Sequence, residues 1–151
     1  MKKQEALNSM VEIADIHAQR LETALSHIEH LKPFRAETLA SLNDIDFSFL
    51  ELATSRFAKL QDIIGGKIFT LYLESLQEDI LGKSFLDNLN KLEKLHVIPS
   101  TNYWIKMREI RNHVTHEYPD KPELMAINLN ELIKYSYELL RFWKDFRPKI
   151  N

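Results

Sequence analysis

Cysteine is absent from the 151 residues, which excludes a disulfide framework and any thiolate metal site and fits a reducing cytoplasm. Long apolar runs are lacking too. No stretch approaches the ~20 residues of a membrane helix, and "MKKQEALNSMVEIADIHAQR" carries basic residues with no apolar segment after them, so it does not read as a secretory signal. A soluble, cytoplasmic protein with no membrane contact is expected. With 20 basic and 22 acidic residues, the formal net charge is −2. The chain therefore lacks the basic excess that drives tight, sequence-blind nucleic-acid binding through counterion release, and any RNA contact should be local. Only three glycines and five prolines punctuate the chain, no linker or internal repeat divides it, and no strand-like alternation competes with the pattern described next.

What is there is helical. Leu7, Val11, Ala14, Ala18, Leu21, Leu25 and Ile28 alternate steps of four and three along one long helix that "LKP" ends. A turn around "ETLASLND" leads to Asp46, a plausible N-cap for a second long helix carrying Leu50, Ala53, Phe57, Leu60, Ile64 and Leu71. Phe47, Phe49, Ile63, Ile68, Phe69 and Leu73 broaden that stripe, which places this helix centrally. Gly65 and Gly66 interrupt it, and the reading is a kink or a close helix contact in preference to a break. Ser84 opens a third helix with Phe85, Leu86, Leu89, Leu92 and Leu95. A fourth starts near Thr101 or Asn102, with Trp104, Met107, Ile110 and Val114, and Pro119 stops it. The fifth runs from about Pro122 through Leu129, Leu132, Leu139, Trp143 and Phe146. With 44% hydrophobic residues, the expectation is an all-α antiparallel bundle of about five helices, one domain over 1–151.

Several chemical candidates fail on inspection. "LGKS" at 81–84 ends like a phosphate-binding loop, but Gln77 stands where the first glycine belongs and a helix precedes it. His27 and His30 lie one turn apart with no spaced third ligand, and Phe47, Phe49, Phe57, Phe69, Tyr72, Trp104 and Trp143 fall on apolar stripes as core. No metal and no cofactor is expected. The stretch "REIRNHVTHEYPD", residues 108–120, is different, because its polar residues border an apolar stripe. Arg108, Asn112 and His116 recur every four residues and share one side of a helix. Arg111 and His116 are about 140° apart on an ideal helix, but Val114, Thr115 and Pro119 let the last turn loosen enough for both to reach one pocket. Histidine moves protons near neutral pH, and arginine offers a fixed fork of donors to a phosphate. A bland alternative stands beside this one: Arg108, Glu109, Arg111 and Glu117 as a solvated, ion-paired helix end.

"WIKMREIRNHVTHEY" resembles the signature of the HEPN superfamily (higher eukaryotes and prokaryotes nucleotide-binding), an Arg, often followed by a polar residue, then His. Arg111, Asn112 and His116 fill that pattern. Tyr118 extends it to the Arg-x4-His-x-Tyr form of HEPN toxins paired with minimal nucleotidyltransferase antitoxins, and "KLEKLHVIPSTNYW" is similar to that group's approach to the motif. The resemblance spans the second half of the chain; the first half agrees in architecture. It implies a metal-independent endoribonuclease in which an RNA 2′-hydroxyl attacks the neighbouring phosphate. On that implication the catalytic residues are His116 as base, Arg111 stabilising the phosphoryl oxygens, and Asn112 holding phosphate or histidine. A single motif histidine per chain implies a two-fold homodimer that brings a second His116 as acid. Tyr118 is implied as the residue that receives AMP from the nucleotidyltransferase partner. His113 points elsewhere. Two alternatives remain at this stage: a catalytically inert HEPN-like partner or substrate-binding subunit of a nucleotidyltransferase, and a plain helical interaction module.

Overall fold

The computed structural model describes residues 2–113 and 120–150, and every regular element among them is helical. Helix α1, Lys2–Ile28, buries Leu7, Ala14, Leu21, Leu25 and Ile28, with Val11 and Ala18 half-covered, as the spacing predicts. A 3-10 turn at Glu29–Leu31 follows. The segment read as a turn contains a short helix instead, α2, Ala36–Ala40. Its origin lies outside local propensity: the Asn130 carboxamide accepts from the Phe34 N–H at 2.8 Å and donates to the Phe34 carbonyl at 2.9 Å, and this fixes the chain entering α2.

Helix α3, Asp44–Ile63, begins two residues before the expected cap. Asn43, in an extended conformation, accepts from the Asp46 N–H at 2.7 Å, so Asp44 and Asp46 occupy the first turn, where the helix dipole favours their charge. At Ile64–Ile68 the rod widens into a π segment, in which the Phe69 N–H reaches back to the Ile64 carbonyl, and it continues as α4, Phe69–Ser75. Gly65 explains the site of this adjustment, since a Cβ there would stand 2.8 Å from Trp104 Nε1. The glycine pair therefore marks a close helix contact and no break. Helix α5, Phe85–Lys94, is opened by reciprocal bonds between Ser84 and Asp87 at 3.1 and 3.0 Å. Helices α6, Thr101–His113, and α7, Pro122–Phe146, complete the bundle, with a 3-10 turn at Arg147–Lys149. Counting α3, the π segment and α4 as one rod gives six helices among the described residues; the sixth, beyond expectation, is α2.

Helix α1 runs antiparallel to the α3–α4 rod. Lys3 pairs with Glu74 at 2.7 Å, His17 meets Arg56 at 2.9 Å, and His27 stacks on Phe49. Asp15 ties the end of α7 to α1 by accepting from Trp143 Nε1 at 2.9 Å and Arg147 Nε at 2.8 Å. Trp104 carries α6 into the core, with ring centroids 4.7 Å from Phe69 and 5.4 Å from Phe142. Phe47 departs from the expected stripe and is 45% exposed. It lies in the first turn of α3, next to Asp46, which stands 3.7 Å from His30. Among the described residues no helix is long and apolar enough to cross a membrane.

Candidate functional site

Trp104, Met107 and Ile110 are buried, which anchors one face of α6 and sends Arg108, Asn112 and His113 toward solvent, with Arg111 on the border between the two faces. Arg111 grips Asp62 at the end of α3: Nε donates to Oδ1 at 3.0 Å and Nη2 to Oδ2 at 2.9 Å. These hydrogen bonds raise the guanidinium pKa above its ordinary value, against a smaller opposing effect of burial, so the group stays cationic at any working pH. Side-chain exposures of 29% for Arg111 and 51% for Asp62 make this a partly solvated pair. Asp62 takes one edge of the planar fork. Among the described residues the Nη1–Nη2 edge has no second acceptor, and it carries a parallel pair of donors, the geometry that matches two phosphoryl oxygens.

The other charges near this helix end are disposed in different ways. Glu109 lies 3.9 Å from Lys106 on its own helix, and the Arg108 guanidinium stacks over Phe85 of α5, 4.5 Å from the ring centroid. The alternative of a solvated, ion-paired helix end thus fits Glu109 and Arg111, each paired and at least partly solvated, while Arg108 lies over an aromatic ring and Glu117 lies outside the described residues. Of the expected site residues, Arg111 and Asn112 sit together on the last turn of α6, with Asn112 exposed. His116 and Tyr118, with Glu117 between them, lie outside the described residues.

Asp62 is the member of this cluster that sequence reasoning did not single out. Forty-nine positions separate it from Arg111, and an acidic residue on the outer side of an amphipathic helix looks like ordinary surface. Its only local signal is its place just ahead of the glycine pair. His27 and His30 are accounted for by Phe49, stacked at 3.9 Å, and Asp46, at 3.7 Å. A separate cleft of about 430 Å³ opens between residues 96–99, which precede α6, and α7, beside Tyr103, Glu138, Arg141 and Asp145. Burial, helped by Glu138, pushes the Tyr103 phenol up to about 12. Arg111 does not line that cleft.

Comparison of the chain with protein-family models, curated proteins and solved structures gives no match in any of the three.

Proposed function

We propose that this chain is a metal-independent endoribonuclease of the HEPN toxin type, cytoplasmic, working beside a minimal nucleotidyltransferase antitoxin. The observation that supports this reading most is the Arg111 fork, oriented by Asp62 through Nε and Nη2 and leaving Nη1 without a partner among the described residues, at the start of the Arg-x4-His-x-Tyr sequence. In the proposed reaction His116 takes the proton of an RNA 2′-hydroxyl. The oxygen bonds to the adjacent phosphorus, the bond from phosphorus to the 5′-oxygen breaks, and a 2′,3′-cyclic phosphate and a 5′-hydroxyl result. Arg111 meets the charge that builds on the non-bridging oxygens, and Asn112 steadies the phosphate. His116 of a second copy, related by a two-fold axis, supplies the proton to the leaving oxygen. Adenylylation of Tyr118 by the partner silences the site by adding a phosphate that competes for Arg111.

The test is cleavage of single-stranded RNA by the purified chain in EDTA. Wild type should cut and should sediment as a dimer at micromolar concentration. His116→Ala and Arg111→Ala should each lose about 10²-fold or more in rate with unchanged helicity, and intact-mass analysis after co-expression with the neighbouring nucleotidyltransferase gene should show adenylyl additions that Tyr118→Phe lacks. Cleavage that stops in EDTA, or survives His116→Ala, overturns the mechanism. A folded chain that cuts nothing but still binds the nucleotidyltransferase is the inert partner instead.

A further inference from the structure

Arg108 is set apart from the other cations of α6. Lys106 has Glu109, and Arg111 has Asp62; Arg108, among the described residues, has an aromatic ring in place of a carboxylate. Its guanidinium stands over the Phe85 ring, 4.5 Å from the centroid, and the residue is exposed. A guanidinium placed over a ring in this way keeps its charge without a carboxylate among the described residues. It also offers its outer face to another planar group. Arg108 and Arg111 are three positions apart, about 4.5 Å of rise and about 60° of rotation on an α-helix. The two therefore stand one turn apart along the same side of α6. Phe85 is itself fixed, being half-buried in the first turn of α5 behind the Ser84–Asp87 cap. The platform thus belongs to two helices, and its position relative to the Arg111 fork is set before any ligand arrives.

We propose that Arg108, laid over Phe85, is a stacking platform for the nucleobase flanking the phosphate that Arg111 holds, so that the site takes unpaired RNA and favours a purine there. This rests on the ribonuclease reading of Arg111. Unpaired bases stack on guanidinium and aromatic planes with little demand on sequence, and the larger purine surface gains more from such a contact. A base still paired in a duplex cannot present its face in this way. The platform therefore supplies selection for single strands that a phosphate contact alone does not provide. It also suits a protein with net charge −2, which cannot rely on a general electrostatic attraction to hold its substrate.

The experiment measures binding of 2′-O-methyl oligoadenylate and oligouridylate octamers by fluorescence anisotropy at fixed ionic strength. These strands lack the attacking hydroxyl and stay intact. Wild type should prefer oligoadenylate. Arg108→Lys keeps the charge and removes the plane, so it should weaken oligoadenylate by about tenfold and oligouridylate by less than about twofold, erasing the preference. Arg108→Ala should weaken both. Melting temperatures of the variants show that they are folded, and a purely structural contact between α5 and α6 would lower those temperatures without touching the base preference. No loss in Arg108→Lys, or equal loss on both strands, overturns the platform. Wild type that binds neither strand overturns the platform and the ribonuclease reading together; adenine-selective binding without cleavage of the ribose strand leaves the platform standing and removes the ribonuclease reading alone.

Discussion

A guanidinium gripped along one edge can still act along the other, and Arg111 owes its orientation to a carboxylate on a different helix. Because Asp62 is half in solvent, the pair contributes little to stability, on the order of 1 kcal/mol or less. Its value lies in where it points the fork. Asp62→Asn should therefore shift the melting temperature by no more than about 4 °C and, on the ribonuclease proposal, lower kcat for RNA cleavage about tenfold with KM nearly unchanged, because on that proposal the lost alignment matters most as charge builds on the phosphate. Unaltered kcat in Asp62→Asn would show that the pair is only a surface contact. The sequence revealed half of this cluster. Arg111 and Asn112 were nominated by their neighbours in the chain; Asp62 could not be, since contact between residues 49 apart is decided by how α3 and α6 pack.

At the scale of the element, periodicity located the long helices because each buries one continuous stripe, as Leu7 to Ile28 and Trp104 to Ile110 do. It missed α2, which is five residues long and held in place through Asn130, and it placed the cap of α3 at Asp46, where Asn43 caps. Short elements and caps are settled by one or two hydrogen bonds, too few to leave a pattern. The glycine pair gives a sharp test, because its two members face opposite conditions. Gly65 lies against the indole of fully buried Trp104, whereas a Cβ on Gly66 would meet nothing within 4 Å. Gly65→Ala should cost about 1–3 kcal/mol, because Trp104 has no room to retreat. Gly66→Ala should be neutral or stabilise by up to about 1 kcal/mol through reduced backbone entropy in the unfolded chain. Thermal or urea unfolding of both variants checks the contrast, and equal effects would contradict the contact at Trp104.

For the whole molecule, α1 and the α3–α4 rod are joined at mid-length by His17, whose Nδ1 accepts from Arg56 at 2.9 Å. Burial first, then Arg56 and Lys59, lower the His17 pKa from its ordinary 6.5. The unfolded chain therefore binds the proton more readily. This contribution to stability is complete above about pH 6.5 and is lost as the pH falls through the folded value. Urea midpoints should drop from pH 7 to pH 5 more steeply in wild type than in His17→Gln, and identical slopes would mean that the imidazole carries no such linkage.

The π segment has a consequence of a different kind. Because Phe69 bonds back to Ile64, the rod holds one residue more than a regular α-helix would use over the same stretch. That extra residue acts as a phase setting. Removing it would let an ordinary helix span the same stretch with Phe69, Tyr72 and Leu73 still facing the core, whereas keeping it in a regular helix would turn everything downstream by about 100° and swing those three out together. Gly66, where an added Cβ would meet nothing within 4 Å, is thus free in its identity and dispensable in its number: the position tolerates a new side chain, and a deletion there lets the widened turn relax to a regular one.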